Sequence, residues 1–130
     1  LVTGLEDWMA TIHELVGVKK PMPEENRDGV SITPTLLGKK QEPRSFLYRE
    51  FSGYGGQQAV WQGKWKGIRQ KMLRKGKNHD PLKIQLYDLE ADPSESTDLA
   101  SKHPEVVERI RKLMAEQHVP SPHFPMKPID

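Results

Sequence analysis

His79 shares a polar stretch with Lys75, Lys77 and Asn78, and all four side chains can donate hydrogen bonds to an oxyanion. Around them, residues 64–83 carry eight basic side chains against a single acid, Asp80. Residues 88–98 reverse the sign, with Asp88, Glu90, Asp92, Glu95 and Asp98 and no base. Such a layout gives either two solvated faces of opposite sign or a positive surface built to meet an anion. No catalytic constellation accompanies it: P-loop, GxGxxG, HExxH, GxSxG and EF-hand spacings are all absent. His13 lies beside an apolar helical stripe and His103 at a helix start, so both read as structural. His118 and His123 bracket a proline-rich tail and could hold a metal only loosely. We assign no catalytic residue and no metal ligand to the chain.

The elements that must position these groups belong to a one-domain length of 130 residues. The apolar fraction of 35% is low for a globular chain, which fits a modest core with loose edges or a piece of something larger. With no cysteine there are no disulfides, thiolate zinc sites or cysteine nucleophiles. No run approaches the ~18 apolar residues of a membrane-spanning helix. Leu1-Val2-Thr3-Gly4 has neither an initiator Met nor a signal-peptide layout, so processing or truncation is expected. The net charge of +2 is too small to imply an anionic partner by itself.

Leu5, Trp8, Met9, Ile12, Leu15 and Val16 fall on one helical stripe, which predicts a helix over Glu6–Val16 ended by Gly17. Residues 18–30 read as a loop, and Ser31–Leu37 as at most one helical turn. Alternation then predicts strands over Ser45–Phe51, Gln57–Gln62, Lys64–Met72 and Leu82–Asp88, the last with Leu82, Ile84 and Leu86 inward. The glycine stretch Gly53–Gly56 and the basic loop Leu73–Pro81 connect them. Trp61 and Trp65 flank the Gly63-Lys64 turn; without a bulge they are expected to stack across the hairpin, as core or as a ligand platform. Pro104 and Glu105 suit a helix start, and Val106, Val107, Ile110, Leu113 and Met114 make its apolar stripe. Four prolines in residues 119–130 predict an extended or disordered tail. The fold class is α+β: a small four-stranded antiparallel sheet, a C-terminal helix packed on it, and an N-terminal helix.

Five motifs stand in order along the chain. They are Asp7-Trp8-Met9-Ala10-Thr11-Ile12 with Leu15 and Gly17; Asp28-Gly29-Val30-Ser31 through Pro34 to Gly38; Phe46–Phe51; Gln58-Ala59-Val60 with Gly63–Lys66; and Leu86-Tyr87-Asp88-Leu89-Glu90-Ala91-Asp92-Pro93-Ser94-Glu95. In that order, over residues 5–118, the chain resembles the C-terminal part of type I sulfatases, the arylsulfatase-like branch of the alkaline phosphatase superfamily.

The resemblance implies a parent that hydrolyses sulfate esters of a carbohydrate or aryl alcohol, using calcium and a formylglycine whose hydrate attacks sulfur. The formylglycine motif C/S-x-P-x-R is absent here, and the family's metal and sulfate ligands lie upstream of the matched region. None of those roles transfers to a residue of this chain, which on its own is expected to be inactive and cofactor-free. The implied layout is 1–38 as a helix and connector from the end of the catalytic domain, 39–118 as the C-terminal subdomain, and 119–130 as the tail. Partners would be the upstream catalytic domain and a sulfated substrate, with no nucleic acid and no membrane, in a periplasmic or secreted setting. By position, Gln57 beside the glycine stretch and Lys77 and His79 on the basic loop are the candidate substrate contacts. The alternative is a stand-alone glycan- or nucleic-acid-binding module using the basic hairpin, with Trp61 and Trp65 as stacking surfaces.

Overall fold

The structure, a computed structural model, describes residues 1–18, 29–77 and 79–130. Most of the loop expected over 18–30, Asp28 of the second motif, and Asn78 lie outside the described residues. The chain divides into two compact units, Leu1–Arg44 and Ser45–Asp130.

The first unit holds helices α1 (Asp7–Leu15) and α2 (Thr33–Leu36). Asp7 in the first turn complements the helix dipole, and Gly17, at φ +66°, lets the chain leave after the last turn. The predicted stripe forms, but the helix buries its other side. Asp7 and Thr11 are 1% and 0% exposed, whereas Leu5, Trp8, Met9, Ile12, Leu15 and Val16 are all exposed. Buried polar atoms must be satisfied, and here they are. Asp7 Oδ2 accepts the Gly4 N–H and Oδ1 the Val30 N–H, both at 2.8 Å, and Arg44 pairs with Oδ1. The Thr11 hydroxyl donates to the Asp7 carbonyl at 2.6 Å and accepts the Ile32 N–H at 3.0 Å. Gly29 approaches so closely that a Cβ there would lie 2.1 Å from the Glu6 carbonyl oxygen. Asp7, Thr11 and Gly29, which carry two of the five motifs, are therefore architectural.

The second unit is one antiparallel sheet, β1 (Leu47–Phe51), β2 (Gln57–Gln62), β3 (Trp65–Gln70) and β4 (Gln85–Asp88), in sequence order, followed by α3 (Pro104–Gln117). The α+β class and the four-stranded sheet are as the alternation predicts. Val106, Ile110 and Met114, one stripe of α3, pack on Val60 and Leu86 of the sheet and on Ile84 just before β4. Fully burying each such side chain contributes roughly 1.5–3 kcal/mol. The close approach needs Gly67, because a Cβ there would sit 2.6 Å from Ile110 Cγ2. On the opposite face, Ala59, Ile68 and Tyr87 form a second cluster with Trp61 and Leu89.

Two expectations are corrected, and the tail, which forms no helix or strand as its prolines predict, gains an anchor. The two-residue turn pairs Gln62 with Trp65 and Trp61 with Lys66, so odd residues of one strand face even residues of the other. Trp61 and Trp65 therefore lie on opposite faces and cannot stack; Trp65 instead meets the His103 ring at 4.8 Å between centroids. Leu82 precedes β4 and is exposed, while Tyr87, expected outward, is buried in the second cluster. The tail is anchored too: Met126 is 1% exposed, and its N–H donates to Asp130 Oδ2 at 2.6 Å.

Candidate functional site

The acidic and basic runs neutralise each other through named pairs. Lys64 Nζ lies 2.7 Å from Asp88 Oδ2, and Lys66 Nζ lies 2.6 and 2.7 Å from the two Glu95 oxygens. Arg69 is buried and donates to Gln58 Oε1 at 2.7 Å and to the Leu82 carbonyl at 3.2 Å. The remaining acids shape the turn after β4. Asp92 Oδ2 accepts the N–H groups of Ser96 and Thr97, and Asp98 Oδ1 those of Leu86 and Ala100. These bonds hold Asp92 below the usual carboxylate range, chiefly through Thr97, and Lys64 does the same for Asp88. The hairpin cations and the two tryptophans thus go into the fold, which leaves little of the platform that the nucleic-acid alternative needs.

The basic charge that remains sits on residues 71–79. Among the described residues, no carboxylate pairs with Lys71, Arg74, Lys75 or Lys77. This loop is joined to the glycine stretch: the Met72 N–H donates to the Gly56 carbonyl at 3.1 Å and the Leu73 N–H to the Gly55 carbonyl at 2.8 Å. The two loops singled out by position therefore form one continuous edge.

His79 Nε2 lies 2.8 Å from the Lys71 carbonyl. A carbonyl only accepts, so Nε2 carries the hydrogen and Nδ1 is the nitrogen left for a ligand. Lys77 is exposed on the same loop. Gln57 opens β2, half-buried, opposite Phe51 and Gln70 in the register. Lys77 and His79 are thus loop neighbours, while Gln57 belongs to the strand and takes no part in joining the loops.

Three further residues of this edge escape a reading by charge alone. Tyr54, between Gly53 and Gly55, is 83% exposed at φ +53°. Its ring centroid is 6.1 Å from that of Phe51, itself exposed. Arg74 lies along the Gly55 backbone, where a Cβ would meet its Cγ and Nε at 3.4 Å. The signal in the sequence is the isolated aromatic within Gly53-Tyr54-Gly55-Gly56.

Elsewhere a polar chain runs from the sheet to His118 at the end of α3. The Gln58 amide donates to Tyr48 Oη at 2.9 Å and to the Met114 carbonyl at 3.2 Å, and Tyr48 donates to Glu50. Burial, opposed by the Gln58 contact and reinforced by Glu50, pushes the Tyr48 hydroxyl well above its usual range. His118 Nδ1 meets Glu50 Oε2 at 2.8 Å, and Nε2 lies 3.2 Å from Asp130 Oδ1. No group of three or more His, Cys, Asp or Glu side chains among the described residues could hold a metal ion.

An antiparallel four-stranded sheet backed by one helix, with an apolar helix face left bare beside it in sequence, defines a subdomain class. No protein-family model matches the chain. An N-acetylgalactosamine-6-O-sulfatase of Bacteroides thetaiotaomicron is 33% identical over 107 residues, covering 75% of this chain and 20% of that protein. A choline-sulfatase of Rhizobium meliloti is 31% identical over 125 residues, covering 95% of this chain and 22% of the relative. A solved structure from the Bacteroides thetaiotaomicron locus for metabolism of multiple glycosaminoglycans superimposes with a TM-score of 0.59 at 29% identity, covering 85% of this chain and 24% of its own. A structure solved with its substrate D-glucosamine-2-N,6-O-disulfate shares the fold, with a TM-score of 0.60 at 20% identity over 85% of this chain and 22% of its own. The chain corresponds to the C-terminal subdomain of sulfatases. It spans about a fifth of the length of the curated relatives it matches.

Proposed function

We propose that the protein carrying this chain hydrolyses sulfate esters, of a sulfated carbohydrate or an aryl alcohol, and that this stretch supports and shapes its catalytic part. The observation that carries the reading is the inverted burial of α1. A helix that hides Asp7 and Thr11 and shows Trp8, Met9 and Ile12 to solvent is built to be covered, since contiguous bare apolar faces of this kind mark interaction surfaces. Its partner is the catalytic domain of the same protein, with residues 1–38 leading from that domain, 39–118 forming the subdomain, and 119–130 the tail. A periplasmic or secreted location follows from the same reading.

The formylglycine and calcium implied by the family find no fitting residues here. The chain has no cysteine and no S-x-P-x-R, and the described residues offer no cluster of hard ligands. Bond cleavage belongs to groups outside this stretch; its own contribution is the loop edge carrying Lys77 and His79, with Gln57 at its base, where cations meet the sulfate. The relatives' names, for an amino-sugar sulfate and for choline sulfate, differ too much in substrate to pass one on.

Two measurements test the proposal. The purified chain, at high concentration with calcium and a chromogenic aryl sulfate, should show no turnover. It should self-associate or bind an apolar dye through α1, and Trp8→Asp and Ile12→Asp should abolish that while leaving the circular dichroism unchanged. Turnover by the chain alone, or self-association indifferent to both substitutions, overturns it.

A further inference from the structure

We propose that Tyr54 and Arg74 form an anionic-sugar subsite on this subdomain, with the pyranose face stacked on the Tyr54 ring and a sulfate held by the Arg74 guanidinium. The sulfate chemistry of the ligand rests on the sulfate-ester reading above; the site itself rests on geometry.

A bulky side chain at positive φ is an outlier, and Tyr54 combines φ +53° with 83% exposure. Local strain of this kind persists only where the surrounding structure fixes it, and it clusters at functional sites. Here it holds an aromatic ring out in solvent, where burial returns nothing. The backbone around it is fixed rather than loose. The Gly56 N–H closes on the Gly53 carbonyl at 3.0 Å, and the Leu73 N–H ties the loop to the basic segment at Gly55. Gly56 has room for no side chain, since a Cβ would sit 2.8 Å from Leu73 Cγ. Phe51, tilted at 53° to the Tyr54 ring, widens the apolar surface.

The cation beside it is equally placed. Arg74 runs along Gly55, one residue from Tyr54, and the Arg74 N–H donates to the Lys71 carbonyl at 2.9 Å. That same carbonyl takes His79 Nε2, so the turn bearing Arg74 is pinned twice. No carboxylate among the described residues neutralises Arg74, in contrast to Lys64 and Lys66 on the neighbouring hairpin. An exposed aromatic ring, one residue from the glycine along which a guanidinium unneutralised among the described residues runs, matches a sugar ring that carries a sulfate.

The test is an NMR titration of the isotope-labelled chain with four probes: N-acetylgalactosamine 6-sulfate, N-acetylgalactosamine, sodium sulfate and oligothymidylate. The sulfated sugar should shift Tyr54, Gly55 and Arg74 together, with a Kd of about 0.1–10 mM that weakens at high salt. The neutral sugar and inorganic sulfate should each bind more weakly and shift only part of the set. Arg74→Gln should weaken the sulfated sugar by about two- to fivefold. Tyr54→Gly is the decisive variant, because glycine suits φ +53°. It should melt no lower than the parent chain and yet lose at least about threefold in affinity, whereas Tyr54→Phe should keep it. A Tyr54→Gly chain that binds as well as the parent, a shift pattern fully reproduced by sodium sulfate, or tighter binding of oligothymidylate overturns the subsite. Because the readout is binding to this chain, it can fail while α1 still behaves as a docking face, and it can succeed whatever turnover measurements return.

Discussion

Val30 donates its N–H to Asp7 Oδ1 across 23 residues of sequence, and the same carboxylate takes Gly4 on its other oxygen and Arg44 beside Val30. Burial works against this charge. The Gly4 and Val30 bonds and the Arg44 guanidinium outweigh it and hold the Asp7 carboxyl below its usual range. A carboxylate depressed in the folded state stabilises above its unfolded pKa of about 3.9, and that contribution is lost as pH falls through the folded value.

Asp7→Ala should therefore loosen the first unit, by about 1–3 kcal/mol, since it removes the nearer of Arg44's two carboxylate partners, leaving Glu6 at 3.7 Å, and bares two N–H groups. Asp7→Asn should recover only part of the loss. Hydrogen exchange at Val30 and Ile32 is the measurement. The difference between Asp7→Asn and the parent should shrink below about pH 4. A constant difference down to pH 2 would show that the charge is unimportant.

The packing of α3 makes a second expectation. Gly67→Ala should destabilise the second unit by about 1–3 kcal/mol, because the new methyl would press on Ile110 Cγ2 and Cδ1. Ile110→Asp should unfold that unit outright, whereas Ile12→Asp, at an exposed position, should cost under about 1 kcal/mol. Thermal melts followed by circular dichroism separate the three. Equal losses from Ile110→Asp and Ile12→Asp would make α1 ordinary core.

These contrasts also show how far the residues announce the fold. The stripe of α3 follows from period alone, because it has one apolar face to hide; the strands from Gln57 and from Trp65, buried on both faces, follow from their residue types and the turns that bound them. Period says nothing about whether a stripe is covered. The stripe of α1 has the same spacing as that of α3 and yet stays bare, because Asp7 and Thr11 take the buried side through hydrogen bonds that no periodicity registers. The parity of a two-residue turn decides that Trp61 and Trp65 part company. The basic run reads as a surface until Asp88 and Glu95 are seen opposite Lys64 and Lys66. Of the candidate site, the loops were legible from glycine and charge. Tyr54 was not, since its role rests on a backbone angle.

The turn after β4 should be acid-sensitive in its own right. Asp88 and Asp92 are both held below the usual carboxylate range, Asp88 first by Lys64 and Asp92 first by the Thr97 N–H. Their stabilisation is present above about pH 4 and lost as pH drops through the folded values. Asp92→Ala should free the N–H groups of Ser96 and Thr97 to exchange faster at neutral pH and should flatten the acid limb there. Unchanged exchange at Thr97 would show that the turn is held by its backbone alone.

The tail carries the last expectation. Met126 is 1% exposed, and deleting a buried methionine side chain typically costs about 2–5 kcal/mol when the site cannot collapse. Around it the N–H groups of Ile129 and Asp130 return to the Met126 carbonyl at 2.8 and 3.2 Å, and Asp130 in turn faces His118, which holds Glu50 at the other nitrogen. The tail thus holds one buried apolar side chain, and its Asp130 faces the histidine that meets Glu50 of β1. Met126→Ala should lower the melting temperature of the second unit and expose Val119–Asp130 to proteases. His118→Asn should loosen the tail while leaving the sheet intact, because Glu50 keeps its bond from Tyr48. Limited proteolysis with mass spectrometry reads both. If the parent chain is cut within 119–130 as fast as either variant, the tail is not docked in solution, and the proline count alone describes it.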